Sequence, residues 1–188
     1  MAMTPSASPT GPTPLPSAHA AAVQELLRGH APFDRMDPDH LEFVVERLSW
    51  VRYAAGEVVL DSGRGPPEWL HLVGGGEVVA EPPVGGGPGD ADSIPLGEGS
   101  CFPLAALLTA RPVLFTYRAL AETTCYLLPA ADFQTLLELS PVFQDFCTRR
   151  LAALLEQSQR VVQARQEETG MAGRSLGSRL GDVLRREP

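Results

Sequence analysis

Residues 69–80 read Trp-Leu-His-Leu-Val-Gly-Gly-Gly-Glu-Val-Val-Ala. An apolar run rich in strand-forming side chains stops at consecutive glycines and resumes, which is the pattern of two strands joined by a tight corner. The same grammar repeats on both sides. Upstream, Val51 to Tyr53 and Val58 to Leu60 are separated by Ala55-Gly56-Glu57, and Ser62-Gly63 follows. Downstream, Ile94 to Leu96 ends at Gly97-Glu98-Gly99, and Thr116 to Leu120 and Thr124 to Leu128 complete the series. Together with Trp69 to Val73 and Glu77 to Ala80, these short segments at close spacing predict a sandwich, jelly roll or barrel. Between them, Glu81 to Asp92 (EPPVGGGPGDAD) offers almost nothing to pack and predicts an exposed, mobile loop.

Helices are expected at both ends of this β region. His19 to Gly29 places Val23, Leu26 and Leu27 at helical spacing, with Gly29 as the cap. In a second helix Asp37 is suited to the N-cap and Pro38 to the first turn, with Leu41, Val44, Val45 and Leu48 forming its apolar face. Residues Pro129 to Leu139 predict a third, inward on Phe133, Leu136 and Leu137. After Ser140-Pro141 a long helix is expected over 141–166, carrying Phe143, Phe146, Leu151, Leu154, Leu155, Val161 and Val162. That apolar stripe is longer than a small roll needs, so it predicts a partner: a homodimer through 141–166 or a following domain. Residues 1–18, uncharged and with five prolines, predict a disordered Pro-rich tail, and 167–179 predict a linker.

Composition bounds the function. A chain of 188 residues accommodates one domain with tails, and 44% hydrophobic against 20% charged residues can bury a core. The net charge is −8, and all 15 basic residues are arginine. The segment 19–141 carries seven Arg against seventeen acidic residues, so the prospective domain itself lacks the basic surface that nucleic acid or an anionic membrane requires. Cys101, Cys125 and Cys147 form no CxxC pair, which predicts no disulfide framework and a reduced, cytoplasmic location. No apolar run is long enough to span a bilayer.

Helices, a roll of short strands and a long terminal helix are the plan of the cyclic nucleotide-binding domain, and residues 33–158 resemble that family. The resemblance rests on Phe33 and Leu41 to Leu48, Ala55-Gly56-Glu57 with Val58 to Gly63, Leu72 to Val78, Leu96-Gly97-Glu98-Gly99, Arg118-Ala119, and Tyr126 to Phe133. It implies, over 19–166, a mainly β fold with flanking helices: a double-stranded β-helix, or jelly roll, with a long C-terminal helix. It also implies a cyclic nucleotide, or another nucleotide, as the ligand class.

In that family the ligand is held by one cassette, Phe-Gly-Glu-Leu-Ala-Leu-Leu, three variable residues, then Pro-Arg-Ala-Ala-Thr. Backbone amides cradle the cyclic phosphate, Arg pairs with its charge, and Glu accepts from the ribose hydroxyl. Here the aligned stretch runs without a gap from Phe102 to Thr116, and Phe102, Leu107, Leu108, Pro112 and Thr116 match. The chemical positions differ: Pro103 replaces Gly, Leu104 replaces Glu, Ala105 follows, and Val113 replaces Arg. Loss of a charge-assisted pair alone costs about 2 to 5 kcal/mol, roughly 30-fold to several thousand-fold in affinity. Arg111, beside Pro112, and Arg118, on the strand leaving the cassette, are the cations positioned to substitute; the plain alternative is that both sit at the rim. Leu114, Phe115 and Tyr117 add bulk, which points to a filled pocket or an apolar ligand.

Leu180 to Pro188 resembles the entry of a CBS domain. With Cys101-Phe102-Pro103-Leu104 and Cys125 to Pro129, it is similar to a bacterial group in which this domain precedes paired CBS domains and a nucleotidyltransferase-like domain. That resemblance implies a regulatory sensor module at the amino-terminal end of a larger signalling protein; a chain that ends naturally there is the alternative. No enzyme activity is expected within these residues. A cupin-type metalloenzyme would share the roll, but His71 is the sole histidine of the β region, and His19, His30 and His40 lie before it. Glu57, Glu77 and Glu98, each after a glycine, suit turn carboxylates better than paired catalytic acids. A helix-turn-helix would need more apolar and basic residues than 163–188 supply.

Overall fold

A computed structural model describes residues 11–82, 93–153 and 156. The chain divides into two compact units, Met1–Cys147 and Thr148–Pro188. In the second, the described residues 148–153 and 156 are helical. The first contains the roll. Its elements are β1 (Thr13–Pro14), α1 (Ser17–Arg28), a 3-10 turn (Phe33–Arg35), α2 (Pro38–Arg47), β2 (Ser49–Tyr53), β3 (Val58–Leu60), β4 (Trp69–Gly75), β5 (Val78–Glu81), β6 (Ile94–Leu96), β7 (Cys101–Phe102), α3 (Leu104–Thr109), β8 (Thr116–Ala119), β9 (Thr123–Pro129) and α4 (Ala130–Leu139). A further helix begins at residue 141.

Two antiparallel sheets form the roll, one in the order β1-β2-β9-β4-β7 and the other β3-β8-β5-β6. Period-two alternation assigns the faces of the first sheet. Leu70 and Leu72 of β4 and Leu128 of β9 turn toward the helices. Val73 of β4, Cys125 and Leu127 of β9, and Val51 and Tyr53 of β2 turn toward the second sheet. Two apolar clusters result. The helix-side cluster joins α1, α2 and α4 to β4 through Leu27, Leu41, Val44, Phe133 and Leu136, with Phe143 and Cys147 from the following helix. The roll-interior cluster joins the two sheets through Val78, Ala80, Leu96, Tyr117 and Ala119 facing Val73, Cys125 and Leu127.

The helix signals act as their chemistry requires. The Asp37 carboxylate accepts from the Asp39 amide at 3.0 Å, with Pro38 in the first turn. Gly29 caps α1 by donating to the Leu26 carbonyl at 3.1 Å. The glycine corners read from the sequence include four positive-φ positions, Gly56, Gly63, Gly76 and Gly99. At Gly76 the requirement is doubled: φ is +88°, and a Cβ would stand 2.6 Å from both the Glu122 carbonyl oxygen and Thr123 Oγ1.

Four expectations are corrected. Residues 11–18, assigned to an unstructured tail, include strand β1 and the start of α1: Thr13 pairs with Trp50, the Leu15 amide donates to Leu48 at 3.0 Å, and Leu15 packs on the helix-side cluster. Burial of one leucine and a shared sheet edge offset the ordering entropy that composition alone said would not be recovered. Glu81, assigned to the loop, ends β5 opposite Thr116. Strand β7 is only two residues long, too short for a periodicity to register. Strand β9 runs one residue further at each end than its apolar run, because Thr123 is buried while its hydroxyl bonds to Glu77 and Ala121. Residues 1–10, the remainder of the loop at 83–92, the linker 167–179, the CBS-like end 180–188 and residues 154, 155 and 157–166 of the predicted long helix lie outside the described residues.

Candidate functional site

The cassette lies between β7 and β8. Phe102 ends β7 and joins Pro103 through a cis peptide bond. Pro103 has φ −91° and ψ 87°, begins α3 without a side-chain cap, and accepts from the Leu107 amide at 3.1 Å. The six-residue helix Leu104–Thr109 closes at Ala110, whose left-handed φ of 50° turns the chain, with the Arg111 amide donating to Ala106 at 3.1 Å. Its faces divide between the two clusters: Leu104 and Leu107 enter the helix-side cluster, and Ala106 enters the roll interior. Gln134 of α4 donates through Nε2 to the Leu107 carbonyl at 3.3 Å, tying the cassette helix to α4.

The two positions where the resemblance places a carboxylate and a guanidinium are packed. Leu104 is 5% exposed within the helix-side cluster and Val113 is 4% exposed within the roll interior. Phe102 is buried, its ring stacked on Tyr117 at 4.6 Å and on His71 at 5.0 Å. Pro103 is buried and Ala105 half-buried, while Leu114 is exposed. Thr116 Oγ1 donates to Ser62 Oγ at 3.1 Å and accepts from the Ser62 amide at 3.3 Å, so its hydroxyl serves the β3–β8 end of the roll.

Neither candidate arginine is turned to the position of Val113. Arg111 is exposed. Arg118 is half-buried on β8: its Nε lies 3.3 and 3.4 Å from the two carboxylate oxygens of Glu81, and Nη1 donates to the Gly56 carbonyl at 2.9 Å. A cyclic phosphate in the family pose would meet Val113 and Leu104 where it needs a cation and an acceptor, and Pro103 where it needs an amide. These side chains do not fit that ligand in that pose.

The turn carboxylates are not assembled into an acid pair. Glu57 accepts from the Ala54 amide at 2.8 Å and closes its own turn, and Glu77 and Glu98 are exposed. Among the described residues no group of three or more His, Cys, Asp and Glu is placed to hold a metal ion, and no helix is long and apolar enough to cross a membrane. Burial pushes the Cys125 and Cys147 thiols up to about 12, so they remain neutral at physiological pH, and it raises Tyr53 well above the usual phenol value. Two residues were not singled out as contributors from sequence. Gln134 is an ordinary polar position of a helix. His71 carried a signal, since it stands between Trp69 and Val73 on the inward register of its strand.

Solved structures with this fold include regulatory and sensor domains. The chain matches the regulatory domain of Toxoplasma gondii PKA with cAMP (19% identity over 73% of this chain and 51% of that one, TM-score 0.63). It also matches the sensor domain of the transcriptional regulator DNR from Pseudomonas aeruginosa (17% identity, 73% and 91% coverage, TM-score 0.62). A third match is the regulatory subunit of a cAMP-independent protein kinase A from Trypanosoma brucei, as a triple mutant bound to cAMP in the A site (16% identity, 71% and 47% coverage, TM-score 0.61). The chain spans about half the length of the first and third. No protein-family model matches the sequence, and a search of curated proteins finds no relative. At these identities the likeness is one of fold: mainly antiparallel sheets with flanking helices, arranged as in cAMP-binding β-roll domains.

Proposed function

We propose that this chain is a regulatory module of the cyclic-nucleotide-binding fold in which packing has replaced the ligand chemistry of the cassette. It acts by relaying the state of a partner domain or subunit through α3 and α4 instead of by reading cyclic AMP or cyclic GMP. The observation that carries this reading is the burial of Leu104 and Val113 in apolar clusters, where a ribose acceptor and a phosphate counter-charge would have to stand. The T. brucei neighbour offers a parallel: it is a cAMP-independent protein kinase A regulatory subunit whose triple mutant, one change being threonine to arginine, is bound to cAMP. The partner is a second copy through the segment 141–166, whose sequence predicts a helix, or a following CBS or nucleotidyltransferase-like domain as the residues at 180–188 suggest. The module is not itself an enzyme, and its setting is a cytoplasmic signalling protein.

Thermal melts with cyclic AMP and cyclic GMP test the reading. A ligand at about 100 times its Kd adds about 2.7 kcal/mol of stability, so about 1 mM nucleotide reveals any Kd near 10 μM. No shift in melting temperature is expected for either nucleotide. A saturable shift of several degrees would overturn the proposal and return the domain to the ligand-binding class.

A further inference from the structure

Among the described residues, one buried side-chain polar atom has no hydrogen-bond partner: Nδ1 of His71. The residue is 3% exposed. Its register sets it opposite Phe102 on β7 and Leu127 on β9, on the strand face that turns toward the roll interior. The imidazole lies on the Phe102 ring (5.0 Å, 20° between planes), and Phe102 lies on Tyr117 (4.6 Å, 16°). Phe102 immediately precedes Pro103, and Tyr117 immediately follows Thr116, so this column of three rings joins the entry and exit of the cassette.

The apolar cluster around the column contributes neutral side chains. From β9 come Leu127 and Cys125, whose thiol is held protonated by burial up to about 12. Strand β2 supplies Tyr53, raised well above the usual phenol value, and β8 supplies Tyr117. From α3 comes Ala106, and from β5 and β6 come Val78, Ala80 and Leu96. The carboxylate that bears on this cluster is Glu57, in the turn after β2, which acts on Tyr53; the imidazole itself is governed by burial and the Trp69 backbone.

We propose that His71 makes this column a proton-operated latch, in which the neutral imidazole holds the cassette segment 103–116 closed and the imidazolium releases it. A buried imidazolium with no counter-charge must reach water, and leaving the column removes the surface on which Phe102 is stacked. Phe102 is continuous with α3, so the loosened segment is the cassette. Burial lowers the imidazole from 6.5 to about 4, partly offset by the nearby Trp69 backbone. Because the closed-state value lies below the open-state value, the closed form has its full advantage above pH 6.5 and loses it as pH falls toward 4. Between pH 7 and 5 the opening equilibrium should rise about 20-fold.

Hydrogen exchange on the whole chain, corrected for intrinsic pH dependence, tests the latch. Peptides covering 101–117 should lose protection about 20-fold between pH 7 and 5, while peptides covering 133–147 hold theirs. In His71→Phe, which keeps a ring in the column and takes up no proton, protection of 101–117 should not change with pH. Equal pH dependence in the variant and the native chain would overturn the proposal, as would joint loss of protection in both peptide sets. If His71→Phe does not fold, the imidazole titration in the native chain decides. A midpoint near 4 accompanied by shifts in 103–116 supports the latch, and a midpoint near 6.5 without them refutes it.

Discussion

The two clusters that sandwich the five-stranded sheet are built on different principles. On the helix side, Phe33, Phe133 and Phe143 meet at tilted and edge-on angles, with centroids 5.7 to 6.3 Å apart, and the interior is hydrocarbon plus the Met36 thioether and the neutral Cys147 thiol. On the roll side the rings lie nearly parallel, and the column includes an imidazole with an unmet nitrogen. The first arrangement takes its stability from close-packed contact and should be indifferent to protons; the second stores a polar cost that protons can call on. Helix α3 is anchored in both. The cassette is therefore held from one side by contacts that do not titrate and from the other by one that does.

The largest effect should come from the helix side. Phe143→Ala removes a fully buried ring that touches Phe33 and Phe133, and should cost about 3 to 5 kcal/mol in urea denaturation at every pH from about 5 to 8. A cost below about 1 kcal/mol would mean that this cluster collapses readily around the gap, and the contrast between the two sides would dissolve.

Leu104→Glu tests the anchor itself. The substitution restores the family residue at its aligned position, but into an apolar cluster at a site 5% exposed. A buried carboxyl has its folded-state pKa raised, so the deficit should be smallest below about pH 4.3, where an unfolded glutamate is also protonated, and should grow as pH rises. At neutral pH it should reach about 2 to 4 kcal/mol. A change within about 0.5 kcal/mol and flat with pH would show that the position faces water, as an open ligand site would require.

Much of the fold was legible because its decisive signals are local. The glycine corners, the Asp37 cap and the apolar runs Trp69 to Val73 and Thr124 to Leu128 each depend on a few neighbouring residues. Alignment of Phe102 to Thr116 also identified Leu104 and Val113 as the positions whose chemistry is missing, without marking the helix α3 between them. Other features depend on distant partners. Strand β1 exists because Trp50 and Ser49 offer an edge to a segment whose composition is that of a tail. Strand β7 exists because His71 and Leu72 receive it. The tie from Gln134 to Leu107 and the His71 column require residues 27 and 31 positions apart to meet, which no window of sequence reveals.

The smallest effect should be at Arg118, for which the sequence leaves two readings open, a ligand-facing cation or a rim residue. Its place on the strand leaving the cassette made it a candidate to face a ligand, yet the guanidinium spans β5 and the turn after β2 through Glu81 and Gly56. Arg118 is 36% exposed and Glu81 38%, so solvent screens the pair and leaves it little net worth. Arg118→Ala should cost no more than about 1 kcal/mol, and the cost should shrink as salt is raised from about 0.05 to 0.5 M. Losing the carbonyl bond as well gives a small residue of destabilisation that salt does not remove. An arginine held in reserve for an anion would behave oppositely: in the absence of that anion its removal would relieve an unpaired cation and raise stability, and added sulfate or phosphate would stabilise the native chain but not the variant.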